Sequence, residues 1–337
     1  HAVRRVDAHR VQLAVEQVTV DGVPVSFVPK EQKLLVELPV PLPDGTEFTV
    51  EIRYSAQPQP YTSRFIPFFQ IGMFFSGAQV SVLDQPDGAH TWFPCNDHPL
   101  DRATYDFRLT APQPLEAVAN GTLLGVDEAG QGARTFHWQM DAPMSTYLAT
   151  VAIADYEVVE GQTPDGIALA HYVYPGTRTE AETVFGSTAD AIALLEGYFG
   201  PYPYKTYGHV VVPQEGMALE TQTMTTMPES VLGGSETEVY GLLVHELAHQ
   251  WFGNTVTLGN WADIWLNEGF ASYAEWLARE ARFGAETAQA GRSFSERTLI
   301  SDRRTTPLVA PGPSEMPRPV AGEAGRKQLD HPGGEQE

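Results

Sequence analysis

Apolar and polar residues alternate in short runs through the first half of the chain. Leu34-Leu35-Val36-Glu37-Leu38 and Phe48-Thr49-Val50-Glu51-Ile52 carry the near-two-residue period of strands with one covered face. Asp21-Gly22, Pro43-Asp44-Gly45 and Asn120-Gly121 separate such runs with residues suited to tight turns. From Val11 to about Ala154 the pattern predicts an antiparallel β-domain of sandwich type. The aromatic stretch from Phe65-Ile66-Pro67-Phe68-Phe69 to Phe74-Phe75 is interrupted by Pro67 and Gly72, and it reads as core strand and loop rather than as a partner or membrane patch.

The pattern changes after Tyr156. Tyr172-Val173-Tyr174 and His209-Val210-Val211-Val212 still read as strands, but helical periods now separate them. One helix is predicted from Thr179 to Phe199, stopped by Gly200-Pro201. A second surrounds residues 240–252, a third starts near Trp261 and runs to about Phe283, and another reaches Ile300. From Thr305 onward Pro, Gly, Glu and Arg dominate without any period, which predicts disorder, with His331 solvated. The expected architecture is therefore α+β and multidomain: an all-β domain over 1–154, a mixed α/β domain over 155–304, and a tail over 305–337.

Length and composition refine this picture. At 337 residues two domains are the default expectation. Twenty-one basic against 43 acidic side chains give a formal net charge of -22, which argues against nucleic acid as a partner. An acidic surface accommodates cationic ligands such as free peptide amines, although it commonly serves solubility alone. No apolar run reaches the length of a membrane span. The single cysteine, Cys95, rules out an intrachain disulfide and fits a reducing, cytoplasmic setting; beside Pro94 it is expected to be inert packing. The chain begins at His1 rather than at a methionine, so the lack of a leader segment carries no information about location. Nothing in the pattern fixes an oligomeric state.

The chemistry concentrates in His245-Glu246-Leu247-Ala248-His249, followed after eighteen intervening residues by Glu268. Histidines four apart lie one above the other on a helix, so both imidazoles can hold one zinc ion. Glu268 can close a third position and leave a fourth open for water, the arrangement of a catalytic rather than a structural site. Glu246 sits about 100° around the helix from His245, where it can act as general base without ligating the metal. The bland alternative is a solvated helix, and the apolar flanks Tyr240-Gly241-Leu242-Leu243-Val244 and Gln250-Trp251-Phe252 speak against it. Glu275, two turns beyond Glu268, is a candidate acceptor for a ligand histidine's other N–H, or else an ordinary surface glutamate.

These residues together resemble the aminopeptidase N family of zinc metallopeptidases, in the clan whose third ligand is glutamate. The resemblance rests on His245, Glu246, His249 and Glu268 within Trp265-Leu266-Asn267-Glu268-Gly269-Phe270. Met217-Ala218-Leu219-Glu220-Thr221, about two dozen residues before His245, matches the family's substrate-anchoring segment at Ala218 and Glu220. Trp92-Phe93-Pro94-Cys95-Asn96-Asp97-His98-Pro99 is similar to another family segment, and Gln85 stands ten residues before its cysteine, where the family places an amine-contacting side chain. The resemblance covers about Val11 to Ile300. It implies a β-sandwich-type domain followed by a thermolysin-like catalytic domain, one zinc ion, peptide substrates with a free N-terminus, and Glu220 and Gln85 as binders of that amine. A carboxylate and an amide would hold an ammonium by charge-assisted hydrogen bonds and reject internal peptide bonds.

Two departures bear on activity. The family supplies a tyrosine downstream of the glutamate ligand to stabilise the oxyanion, whereas no tyrosine follows Tyr273 here. Leading strands and further helices of the family are also unmatched, so the catalytic domain is expected to be incomplete and the chain to be shortened at both ends. Loss of one oxyanion donor lowers turnover by roughly 10² to 10³. Beside the aminopeptidase reading stand a thermolysin-like endopeptidase, a hydrolase of a non-peptide electrophile such as an epoxide, and a zinc-binding scaffold without turnover.

Overall fold

The computed structural model describes residues 2–9, 13–30, 33–43, 45–63, 65–67 and 69–289. Up to Ala154 the named strands pair antiparallel, interrupted by short 3₁₀ turns at Ala89–Thr91 and Thr146–Leu148. A three-stranded sheet of Ala2–His9, Lys33–Pro43 and Phe27–Lys30 packs on another of Val23–Pro24, Leu13–Val20 and Val50–Ala56. Leu34 and Val36 from the first meet Val18 and Val20 from the second in one buried cluster, which is how the alternating pattern is satisfied. The leading strand Ala2–His9 lies ahead of Val11, where the sequence pattern had placed the start of the strand region.

A five-stranded sheet follows in the order Glu116–Ala119, Val151–Ala154, Gln79–Leu83, Gln70–Ser76, Tyr61–Thr62, beside the antiparallel sheet Arg102–Pro112, Ala133–Ser145, Thr122–Gly130. The aromatic stretch corrects the sequence expectation of a core segment. Ile71 is fully buried, but Phe65, Phe69 and Phe74 are half-buried and Phe75 is exposed. The strand Gln70–Ser76 turns back at Gly77-Ala78 into Gln79–Leu83, so Phe75 sits at the tip of a hairpin and not beneath a second layer.

Past Tyr156 the chain builds a four-stranded sheet ordered Glu157–Gln162, Ala168–Val173, Thr206–Val212, Met224–Pro228. Its first pair is antiparallel and the next two are parallel. A parallel neighbour requires a crossover, and helices α1 (Arg178–Phe185) and α2 (Thr188–Phe199) supply it. The sequence pattern had predicted one helix here. The break comes where the Gly186 amide closes on Glu182 and the Thr188 hydroxyl donates to the Phe185 carbonyl. Phe185 and Ile192 nevertheless enter the same core, so the apolar period runs on through the break. Gly200 ends α2 at φ +90°, a conformation that L side chains resist.

Two further helices carry the site. Helix α3 (Glu236–Ala248) starts at Ser235, whose side chain accepts from the Glu238 amide. Helix α4 (Ile264–Phe283) follows a 3₁₀ turn at Trp261–Asp263. Ala271, Ala274 and Ala278 of α4 join Leu243, Val244 and Leu247 of α3 in the core that also covers Val211 and Met227 of the sheet. Small residues let the two helices approach closely. A Cβ at Gly241 would lie 2.2 Å from Arg279 Nη2, so the guanidinium rests on the bare helix surface at that point. The β-region and the mixed region share a second core, in which Ala117, Phe136 and Trp138 meet Tyr172, Val210 and Val212. Among the described residues no helix is long and apolar enough to cross a membrane. The helix expected to reach Ile300 and the tail expected from residue 305 lie outside the described residues.

Candidate active site

The close approach of α3 and α4 determines which side chains meet. His245 occupies the last turn of α3, and His249 follows at its C-terminal cap with helical dihedrals. Their rings stand 5.0 Å apart between centroids. Glu268, in the second turn of α4, brings Oε2 to 3.4 Å from His245 Nε2 and 4.0 Å from His249 Nε2. The three ligand atoms lie within 4.8 Å of one another. Both imidazoles have their other nitrogen engaged: His245 Nδ1 lies 3.5 Å from Glu275 Oε2, and His249 Nδ1 lies 3.1 Å from the Phe252 carbonyl oxygen. That pattern leaves each Nε2 turned towards Glu268 and available to a cation once any proton there is displaced, so the residues present fit a zinc ion with two histidine nitrogens and one carboxylate oxygen.

Buried charges set the electrostatics. Burial alone would depress His245, but Glu268 and Glu275, with Glu246, outweigh it and hold the imidazole well above its usual range. For Glu268 burial works upward, and His245 and His249 reverse it, so its carboxyl is lowered. Glu246 is pushed up, chiefly by burial and then by Glu220, Glu268 and Glu275, with His245 opposing. A carboxylate raised in this way is suited to accept and return a proton near neutral pH.

Glu275 is buried, which distinguishes it from the surface glutamate it could have been. Arg279, one turn further along α4, lies 2.9 Å from its Oε1 and is buried as well. Arg279, Glu275 and His245 thus form a chain of contacts that orients the imidazole from behind. Glu275→Ala is expected to weaken zinc binding by about 10- to 100-fold. It should also lower the melting temperature, because Arg279 loses a buried partner. Competition against a chromophoric chelator measures the first effect, and unchanged zinc affinity would remove Glu275 from the support of the site.

Glu220 comes from the segment between the third and fourth strands of the mixed sheet and is 3% exposed. Gln85, from the β-region, donates through Nε2 to Glu220 Oε1 at 3.0 Å, so the structure brings together the two residues assigned to the amine. The loop bearing Gln85 is pinned at Asp84, whose Oδ2 accepts from Trp92 Nε1 at 2.9 Å and whose carbonyl accepts from the Gly88 amide at 2.6 Å. Glu220, Glu246 and His249 also lie within 4.8 Å of one another through their ligand atoms. All six residues singled out from the sequence, His245, Glu246, His249, Glu268, Glu220 and Gln85, therefore lie together.

Sequence reasoning missed the layer beneath Glu220. Its carbonyl accepts from Asn254 Nδ2 at 2.8 Å and from Gln250 Nε2 at 3.3 Å, while Gln250 Oε1 accepts from the Thr223 amide at 2.9 Å. Both amides are fully buried. The available signal was their position just after His249, amid Trp251 and Phe252, where an exposed polar face has no room. Cys95, half-buried, has its thiol pushed upward by burial and by Asp97 and Asp84, which disfavours the nucleophilic thiolate and agrees with packing.

The chain as a whole is similar to known proteins. Residues 3–148 match the Peptidase M1 N-terminal domain, and residues 184–307 match the Peptidase family M1 domain. Endoplasmic reticulum aminopeptidase 1 of Homo sapiens is 28% identical over 279 residues, 79% of this chain and 29% of that protein. Aminopeptidase M1-B of Oryza sativa subsp. japonica is 33% identical over 206 residues, 58% of this chain and 23% of its own. The chain thus spans under a third of the length of these curated relatives. An M1 zinc metallopeptidase from Deinococcus radiodurans has a solved structure similar to this one, with TM-score 0.82 and 29% identity over 96% of this chain and 72% of that chain. A mutant M1 zinc metallopeptidase from the same organism, bound to a Tyr-Ser-Ala substrate, gives TM-score 0.83 at 30% identity over the same shares.

Proposed function

The chain belongs to peptidase family M1, and from that membership together with the placement of these side chains we propose that it is an aminopeptidase, using one zinc ion to release N-terminal residues from peptides. The observation that carries this reading is the Gln85–Glu220 pair, which stands beside the residues suited to zinc and to proton transfer. An ammonium seated on Glu220 puts the first peptide bond of a substrate, and no later one, near Glu246 and the two histidines. When bound to His245, His249 and Glu268, zinc supplies a Lewis acid that polarises a carbonyl and lowers the pKa of water towards about 7.

The remaining chemistry belongs to the protein's own groups. Glu220 and Gln85 Oε1 accept hydrogen bonds from the substrate ammonium and fix its distance from the reacting carbonyl. Gln250 and Asn254 hold the Glu220 backbone so that the carboxylate does not drift. Glu246 takes the proton from water as its oxygen attacks, then delivers it to the departing amide nitrogen. Burial of Glu220 and Glu246 excludes bulk water and strengthens both interactions.

Leucine and arginine anilides, offered in parallel with free and acetylated amines, test the reading. Only the free-amine forms should be cleaved. Glu220→Gln keeps the shape but removes the charge, and it should lower kcat/KM on free-amine substrates by about 10- to 1,000-fold. Cleavage of acetylated substrates at a comparable rate would favour an endopeptidase instead.

A further inference from the structure

The segment carrying Gln85 is held from several directions, and those bonds decide where its amide points. Asp84 is fully buried. Its Oδ2 accepts from Trp92 Nε1, while Oδ1 has no hydrogen-bond partner among the described residues. Burial holds this carboxyl well above the usual carboxylate range, with the indole bond opposing and Asp97 adding to it. Beyond Gln85, the Tyr61 hydroxyl donates to the Asp87 carbonyl at 2.6 Å, and the Thr91 hydroxyl donates to the Gly88 carbonyl at 2.7 Å. A Cβ at Gly88 would lie 2.8 Å from the Asp84 Cα, so the turn closes tightly on itself. Trp92 is fixed in its own right. Its carbonyl accepts from the Tyr54 hydroxyl at 2.9 Å. It packs on the core cluster in which Tyr147 and Leu148 of the β-region meet Leu258 and Ile264, the first residue of α4.

We propose that Trp92 is a positioning residue for the amine seat: its indole N–H, through Asp84, aims Gln85 at Glu220, and its packing seats that loop against the start of the helix bearing Glu268. This role rests on the aminopeptidase reading above. Gln85 reaches Glu220 from the β-region, so no helical spacing fixes the distance between them. A long glutamine side chain swings freely unless the backbone beneath it is held, and ordering it at the moment of binding weakens affinity. Without the indole N–H, both Asp84 carboxyl oxygens lack a donor in a buried place. The loop relieves that cost by shifting, and Gln85, the next residue, shifts with it. The loss therefore appears in the affinity for an amine, while zinc keeps the ligands that α3 and α4 hold.

Calorimetry of leucinamide binding to the zinc-loaded chain tests this. Trp92→Phe keeps an aromatic ring in the packing and removes the donor. It should raise the Kd for leucinamide by about tenfold and leave zinc affinity within about twofold. Gln85→Ala should weaken leucinamide similarly, and the double variant should lose no more than either single one, because both act through the same side chain. Asp84→Ala should give the same loss without touching the Trp92 ring, and Asp84→Asn, which keeps an oxygen for the indole, should restore most of it. With a leucine anilide the effect belongs to KM, and kcat stays near that of the parent. Parent-like leucinamide affinity in Trp92→Phe or in Asp84→Ala overturns the proposal. So do losses that multiply in the double variant, or a zinc affinity that falls alongside. Failure of the parent chain to bind leucinamide would instead overturn the amine seat, and the aminopeptidase reading with it.

Discussion

Glu246→Gln is expected to lower turnover by about 10² to 10⁴-fold while zinc content stays at one ion per chain. Glutamine has the shape of glutamate but cannot accept a proton at neutral pH, so the attacking water keeps its proton and the departing amine receives none. The fold should tolerate the change. Glu246 accepts no hydrogen bond within the described residues, so its replacement strands no donor. Its carboxylate is also the one raised by burial and by three neighbouring carboxylates, Glu220, Glu268 and Glu275, so neutralising it relieves repulsion. Melting temperature should hold or rise. Steady-state kinetics on a leucine anilide, with zinc measured by atomic absorption on the same sample, decides the matter. Residual turnover above a tenth of the parent would assign the proton transfer to another group.

His245, Glu246, His249 and Glu268 could be read from one line of sequence because helical spacing converts directly into geometry: four residues bring two rings together, whatever the rest of the chain does. Glu275 was legible for the same reason, as a position two turns along α4. Its distinction from a surface residue came only from Arg279 resting on Gly241 of the other helix, a contact no local pattern encodes. The amide layer was less visible still. Gln250 and Asn254 act on a carbonyl thirty or more residues earlier, and a polar side chain turned inward looks the same in sequence as one turned outward. The break between α1 and α2 escaped because both helices fill one core, so the apolar period continues across it. The aromatic stretch around Phe75 misled for the opposite reason: composition indicated burial, while the hairpin placed the ring at a tip.

Removing the metal is expected to abolish hydrolysis and to destabilise the helical part of the molecule. The three ligands come from two helices, and without a cation His245, Glu268, Glu275 and Glu246 must balance their charges within a buried space. A ligand that binds only the folded state, present at 1,000 times its dissociation constant, contributes about 4 kcal/mol of stability. Chelation should therefore lower the melting temperature by several degrees, and stoichiometric zinc should restore both it and the activity. Acidity acts on the same equilibrium with a definite sign. Because Glu268 and Glu275 raise the His245 pKa, the metal-free protein carries a proton there that zinc must displace. Apparent zinc affinity then climbs with pH up to that raised value and levels above it. The competing expectation, a site that ignores pH, would follow if His245 Nε2 were not a ligand. A chelated protein that keeps its activity would dismiss the zinc reading altogether. Loss of activity on chelation, recovered by zinc with release of a proton, would tie the hydrolysis to the ligand set that α3 and α4 bring together.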